Sequence, residues 1–207
     1  MKINLNIVKT NQLFIFLLLL STVFQSCTQN KKNDIILSCN ENNDLYQTLI
    51  KNDVSCKRYA TPAEAIEKAG EGSAVMLLAD GYPNIKTETD KTLLGKAQQK
   101  KVRLYVEYPS YLPGTEIGEP QRTHWERAVI SSDAFAPDLQ KLRILAIHDC
   151  HFVPVENDNP DIVIARVAGF DKAVYGLPNE TFPVLYEMPQ QGSQGSVLVS
   201  TTKLSQF

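Results

Sequence analysis

The chain of 207 residues has little excess charge and few of the residues that usually form metal or redox sites. Its 21 Lys and Arg nearly balance 23 Asp and Glu, so there is no basic surplus to neutralise a run of phosphates. We therefore expect no nucleic acid among its partners. With 4 cysteines, 3 histidines and no Cys-x-x-Cys spacing, the sequence predicts neither a metal site nor a bound cofactor.

The sequence also lacks an apolar run long enough to span a bilayer, although a shorter one lies near the N-terminus. Lys2 and Lys9 come before a mostly apolar segment that ends near Phe24, and no acidic residue occurs before Asp34. A basic start with a short apolar segment is typical of an export signal, because a membrane-spanning helix needs about 20 apolar residues. We predict a signal peptide over residues 1–26.

The end of this segment predicts a lipid anchor. Phe24-Gln25-Ser26-Cys27 resembles the lipobox of bacterial lipoproteins, although Phe24 and Gln25 replace the usual Leu and small residue. The resemblance implies cleavage before Cys27 and lipidation of that residue. Residues 27–33 would then be a lipidated tether, and the protein would be anchored in the outer membrane or the periplasm-facing envelope. Alternatively, the protein is secreted after cleavage near Ser26.

The remaining cysteines are predicted to be buried free thiols. An exported protein can form disulfides. However, Cys39 is expected to end the first strand and Cys56 to begin the second, which places them at opposite edges of a parallel sheet. A bridge between Cys39 and Cys150 is the alternative.

From Asp34 the chain alternates between short apolar runs and helical patterns, which predicts an α/β fold. Apolar strands separated by helices indicate parallel pairing, with helices on both faces of a doubly wound, mostly parallel sheet of the flavodoxin type. Thr61-Pro62-Ala63-Glu64 has the cap, the first-turn proline and the acid of a helix start. The predicted strands are 34–39, 54–59, 74–79 and 102–107, with helices beginning near Asn43, Thr61 and Asp90.

The second half of the chain has a different pattern, which predicts an added antiparallel hairpin region. Residues 124–127 and 131–133 are expected to be irregular. Apolar or alternating runs then predict short strands within 143–148, 161–168, 172–175, 183–187 and 196–200. We treat residues 34–207 as one domain.

This order of elements resembles the class I glutamine amidotransferase-like fold, in particular its trehalose-utilisation-type branch. The segment Gly195-Ser196-Val197-Leu198-Val199 is similar to a Gly-x-Gly-x-Val strand of that branch. The resemblance implies a nucleophilic Cys in the turn after the strand at 102–106 and a His after the last strand. Glu107-Tyr108-Pro109 and Thr201-Thr202 stand at those places, so we expect the fold without its catalytic pair.

Two segments, 107–114 and 201–207, are also similar to N-terminal regions of larger exported polysaccharide-degrading hydrolases. This similarity implies that carbohydrate or a hydrolase domain is a partner. It predicts that the chain is either a stand-alone copy of such a region or one truncated at its C-terminus, because no docking helix follows the last strand.

Two carboxylates are the candidate catalytic residues. Asp80 and Glu107 follow strands whose pairing as neighbours the pattern allows, and Glu116 is a third candidate. A pair of carboxyl groups roughly 5–9 Å apart suffices for glycoside hydrolysis. Alternatively, one of the pair caps a helix or loop, and the other pairs with Arg103 or Arg122.

Aromatic residues in the expected strand-end loops are candidates for ligand binding. Their rings would stack on sugar rings while Glu107 or Arg122 binds hydroxyl groups. Alternatively, they pack beneath the loops or contact a following domain. These residues are Tyr82, Tyr108, Tyr111 and Trp125.

The segment His148-Asp149-Cys150-His151 is the densest reactive cluster. On a strand, His148 and Cys150 face one side while Asp149 and His151 face the other, which separates the donors. We therefore favour a polar strand end over a Cys–His nucleophile.

Three functions follow from these patterns. The first is a non-catalytic, envelope-anchored module associated with glycan binding or degradation. The second is a glycoside hydrolase that uses Asp80 and Glu107, and the third is a hydrolase or amidase that uses Cys150. Whether the chain is an enzyme is therefore left open by the sequence.

Overall fold

The computed structural model describes residues 35–147, 149–188 and 195–204. The predicted signal peptide, the tether, Cys27 and His148 lie outside these residues. The strands are β1 Ile35–Ser38, β2 Cys56–Tyr59, β3 Ala74–Leu77, β4 Arg103–Glu107, β5 Gln121–Arg122, β6 Arg127–Ile130, β7 Ile144–Leu145, β8 His151–Phe152, β9 Ile162–Ala165, β10 Phe182–Met188 and β11 Ser196–Ser200. The helices are α1 Asp44–Lys51, α2 Pro62–Lys68 and α3 Lys91–Gln99.

A nine-stranded sheet forms the centre of the domain, in the order β2-β1-β3-β4-β11-β10-β9-β6-β7. The first five strands in this order pair in parallel, and the pairs from β11 to β7 are antiparallel. As a result β10 and β6 run against the other seven strands. A separate pair, β5 and β8, forms a small antiparallel sheet. The predicted fold class, α/β with a mostly parallel sheet and added antiparallel strands, is confirmed.

The helices cover both faces of the parallel half of the sheet. Ile36 packs into the core beneath α2 and α3, whereas the next residue, Leu37, packs beneath α1. Adjacent residues of a strand point to opposite faces, so α1 lies on the face opposite to α2 and α3. This arrangement is the doubly wound one that the sequence predicts.

Each helix begins at a side chain that the sequence marks as a cap. Asn43, Thr61 and Asp90 accept hydrogen bonds from the backbone N–H groups three residues further on. Within the described ranges, no helix is both long enough and apolar enough to cross a membrane.

The structure corrects several predictions for the second half of the chain. Residues Arg127–Ile130, expected to be irregular at their start, form the buried strand β6 between β9 and β7. The expected strand at 172–175 is reduced to a single bridge between Arg143 and Lys172. Each of these segments has at most three consecutive apolar residues, so its pairing depends on distant partners rather than on a local pattern.

The cysteine geometry agrees with the sequence analysis. Cys39 directly follows β1, and Cys56 opens β2 in register with Ile35. Cys39, Cys56 and Cys150 form no disulfide. Cys39 and Cys150 are buried as predicted, whereas Cys56 is half-buried.

Candidate functional site

The carboxyl ends of β1, β3, β4 and β11 meet at one edge of the sheet, hereafter the carboxyl edge. The chain leaves β1 towards α1 on one face and leaves β3 towards α3 on the other. Doubly wound folds bind ligands between two strands whose connections leave on opposite faces, as those of β1 and β3 do here. Asp80 bridges these two strand ends, because its carboxylate accepts hydrogen bonds from the backbone N–H of Asn40 and from Asn43 Nδ2, the latter at 2.8 Å. Asp80 therefore caps the loop after β1, as the alternative prediction for it states.

Glu107, the last residue of β4, is only 1% exposed. Its Oε2 accepts from Ala79 N at 3.2 Å, and its Oε1 accepts from Tyr105 Oη at 3.0 Å and from Leu204 N at 3.3 Å. Burial raises the pKa of Glu107, while these hydrogen bonds and nearby Lys203 act in the opposite direction. The carboxyl group thus joins the segments that follow β3 and β11 to the end of β4.

The two candidate carboxylates have different environments. Asp80 is exposed and bound to the loop after β1, whereas Glu107 lies beneath the surface and binds backbone groups. The predicted partner Arg122 instead forms an ion pair with Asp149. This geometry favours a structural role for Glu107 over contact with a glycosidic bond, because the side chain presents almost no surface to a ligand.

The turn after β4 has an unusual backbone conformation, and the residue at its centre is the buried Tyr108. Tyr108 has φ of 47°, in the left-handed region that non-glycine residues rarely adopt. Its N–H donates to Ser200 O at 2.8 Å, and its Oη donates to Pro83 O at 3.2 Å. Tyr108 is fully buried, which fits the alternative prediction that its ring packs beneath the loops.

Tyr82 and Tyr111 also pack beneath the loops of the carboxyl edge. The ring of Tyr82 makes an edge contact with Tyr108 at a centroid distance of 5.1 Å, and its Oη donates to His151 O at 3.0 Å. Tyr111 is partly buried against the core beneath α2 and α3. Both placements fit the alternative prediction that these rings pack within the domain.

Trp125 differs from the three tyrosines because its side chain is 75% exposed. It precedes β6, whose N-terminal end lies at the carboxyl edge because β6 runs against the parallel strands. The neighbouring carboxylate of Glu126 holds this turn: it accepts from His124 N at 2.7 Å, from Trp125 N at 3.1 Å and from Arg166 Nε at 2.7 Å. Hydrogen bonding from His124 N is the leading cause that lowers the pKa of Glu126 to about 2.

A cleft of about 300 Å³ lies beside the indole, and we call it the Trp125 cleft. Its lining residues are Arg122, Thr123, His124, Trp125 and Asp149. The floor is held by the small sheet, since Thr123 N donates to Cys150 O at 2.8 Å and Cys150 N donates to Thr123 Oγ1 at 3.0 Å. The cleft combines one exposed aromatic side chain with a guanidinium, an imidazole and a carboxylate, whereas the Thr123 hydroxyl is buried and bonded to the Cys150 backbone. Such a set can bind a ligand that has both apolar faces and hydroxyl groups.

The prediction that the side chains of the reactive cluster face alternate sides requires a continuous strand. Residues 149–151 do not form one. Asp149 has φ of 53°, and β8 begins only at His151. Cys150 is buried, and its backbone is bonded to Thr123. A buried thiol in such surroundings is usually unreactive.

The sequence does not associate Glu126, Thr123 or Asp149 with Trp125, although Asp149 lies in the reactive cluster that it predicts. Each of the three contacts a residue far along the chain, and no local motif marks these contacts. Among the described residues, no group of three or more His, Cys, Asp or Glu side chains is arranged to hold a metal ion.

Comparisons of the chain with family models, with curated proteins and with solved structures found no match.

Proposed function

We propose that the chain is an envelope-anchored lipoprotein whose α/β domain binds glycan at the Trp125 cleft and does not itself cleave it. One observation carries this proposal. The indole of Trp125 is 75% exposed, and it lies on a turn whose backbone N–H groups donate to the carboxylate of Glu126. The side chain of Glu126 is only 15% exposed, so the turn is anchored from within. The backbone that carries the exposed ring is therefore held in position before any ligand arrives.

The chemistry of the cleft suits a sugar. The C–H face of a pyranose ring stacks on an indole, and its hydroxyl groups bind charged donors and acceptors. Arg122 and Asp149 form a solvent-exposed ion pair beside the ring and together offer both kinds of group. An exposed ion pair of this kind contributes little to stability, so rearranging it to bind hydroxyl groups costs little.

The lipid anchor supports a role in holding glycan at the envelope. Two or more acyl chains give lasting attachment, because each buried methylene contributes about 0.8 kcal/mol. We expect metabolic labelling with a fatty acid, together with fractionation of cells, to find the wild-type protein in the membrane. Cys27→Ser should lose the label, whereas Cys56→Ser should keep it. A labelled Cys27→Ser protein would contradict the anchor.

The glycan proposal is tested with the full chain in detergent. Calorimetric titration with soluble xylan, pectin, β-glucan and mucin glycans should detect binding of at least one of them. Trp125→Ala should weaken that binding roughly tenfold, or about 1.4 kcal/mol. The control is Ile85→Ala, because Ile85 is similarly exposed (68%) and does not line the cleft. Both variants should keep the wild-type melting temperature, since neither side chain is buried.

Four outcomes would overturn the proposal. The first is that none of the four polysaccharides binds, and the second is equal binding by Trp125→Ala and wild type. The third is release of reducing sugar that is lost in Asp80→Asn, which would favour the carboxylate-pair hydrolase. Amide hydrolysis that is blocked by iodoacetamide and lost in Cys150→Ser would favour the Cys-dependent enzyme instead.

A further inference from the structure

A second group of exposed apolar side chains lies on the connection between β9 and β10. Phe170 is 100% exposed, Tyr175 90% and Val174 64%. We call residues 166–177 the aromatic loop. Three large apolar residues that are exposed within six positions of one another are unusual in a folded domain, because burial of an apolar side chain stabilises the fold.

The backbone of the aromatic loop is well held, so these side chains are exposed by its fold. Val174 N donates to Ala168 O at 3.0 Å, and Ala173 N donates to Leu142 O at 2.9 Å. Ala173 is buried against Val129 and Val163 of the main sheet. The loop is also tight: a Cβ on Gly169, which has φ of 131°, would lie 1.9 Å from Lys172 O.

The aromatic loop is connected directly to the turn that carries Trp125. Its first residue, Arg166, forms an ion pair with Glu126 at 2.7 Å between Nε and Oε1. The same carboxylate binds the backbone of Trp125. Arg127 and Ala165 are paired across β6 and β9. Only short stretches of chain join Arg127 to Trp125 and Ala165 to Phe170, so the Cα atoms of Trp125 and Phe170 are at most roughly 30 Å apart. A polysaccharide of several units is long enough to reach across any separation up to this limit.

We propose that Phe170 and Tyr175 form a second stacking platform, which together with Trp125 binds one polymeric glycan chain. This inference rests on the proposed function of the Trp125 cleft. It adds that the ligand is a polymer long enough to reach both platforms. Two linked contacts bind such a chain more tightly than either contact alone, because the second one forms at high effective concentration.

The composition of the aromatic loop fits a glycan better than a protein or a membrane. A stable protein interface buries about 800 Å² on each partner and involves 20–30 residues, which far exceeds three side chains. Asp171 and Lys172 lie between the apolar residues, so the apolar surface is interrupted by charge. A basic excess favours binding to an anionic membrane, but here Asp171 offsets Lys172, and Arg166 is paired with Glu126. Isolated rings between polar groups match a polymer in which C–H faces alternate with hydroxyl groups.

The test compares the polysaccharide that binds with short oligosaccharides prepared from it, again with the full chain in detergent. Wild type should bind the polymer at least tenfold more tightly than a disaccharide of the same type. The double variant Phe170→Ala/Tyr175→Ala should lose this advantage yet bind the disaccharide as wild type does. Val174→Ala is the matched control, since it removes an exposed aliphatic side chain of the same loop and should change neither affinity.

The outcomes separate this inference from the proposed function. If the double variant keeps the wild-type advantage for the polymer, the second platform is wrong while the Trp125 cleft stands. If Trp125→Ala also leaves binding unchanged, both are wrong. Binding to vesicles of anionic phosphatidylglycerol that the double variant abolishes would assign the loop to a membrane. Self-association in sedimentation that the double variant abolishes would assign it to a second copy. Either result would overturn the inference.

Discussion

Lys100 joins α2 and α3, the two helices on one face of the sheet, and its substitution tests how much this contact stabilises the domain. It follows α3, and its ammonium donates to three carbonyl groups at the end of α2. The distances from Lys100 Nζ are 3.0 Å to Ile66 O, 2.5 Å to Glu67 O and 2.9 Å to Ala69 O. The last carbonyls of a helix have no partner within it, and a cation at that end is favoured by the helix dipole. Lys100→Met keeps the apolar stem and removes all three hydrogen bonds.

The expected loss can be worked from these contacts. One hydrogen bond to a charged group contributes roughly 1.5–3 kcal/mol. The three bonds share one ammonium, and water can reach the carbonyl of Glu67 after the substitution, so we expect a total of about 2 kcal/mol. For a domain of this size that corresponds to a melting temperature lower by about 4–8 °C.

The neighbouring lysine supplies a matched control. Lys101 forms an ion pair with Glu71, and the two side chains are 52% and 69% exposed. Exposed pairs contribute little, so Lys101→Met should leave the urea midpoint close to that of wild type. Unfolding followed by circular dichroism would measure both variants at neutral pH. Equal midpoints for the two variants would refute the argument that Lys100 caps α2.

Two further predictions concern a helix cap and a buried acid. Thr61→Ala should lower the free energy of unfolding by about 1 kcal/mol, because Thr61 Oγ1 accepts from Glu64 N at 3.3 Å. Thr61→Ser should retain most of the stability, and equal losses in urea would count against the cap. Because burial raises the pKa of Glu107 above its ordinary 4.5, the folded state binds this proton more tightly than the unfolded state. Glu107 should therefore reduce stability as pH rises from about 4.5 through the raised pKa. Glu107→Gln should remove that contribution from the pH profile of unfolding, and an unchanged profile would contradict it.

The first half of the fold is predictable because its signals are local. The caps Asn43, Thr61 and Asp90 mark the starts of the three helices. The mostly apolar strands β1 and β3 precede α1 and α3. A strand such as β3 is recognisable because both of its faces are covered by helices and its residues are therefore continuously apolar. The parallel pairing of the first four strands follows from the alternation of strand and helix.

The strands of the second half are less predictable. β5, β7 and β8 have two residues each, which is too short for any periodic pattern. β6 contributes three buried residues, and what makes it a strand is its pairing with β9 and β7 on either side.

The candidate site shows the same division. The sequence places Tyr82, Tyr108, Tyr111 and Trp125 together in loops, but nothing in their neighbours distinguishes an exposed ring from a buried one. Tyr108 is buried because the left-handed turn after β4 directs it beneath the loops, and Trp125 is exposed because Glu126 holds its turn.

The sequence by itself determined the layered α/β architecture, the helix starts and the positions of Asp80 and Glu107 at the ends of neighbouring strands, since these depend on residues close together in the chain. Only the tertiary structure decided that Glu107 is buried, that Trp125 is exposed and that Arg166 joins the aromatic loop to the cleft. Burial and long-range ion pairs depend on which distant segments meet, and that is set by the packing of the whole sheet.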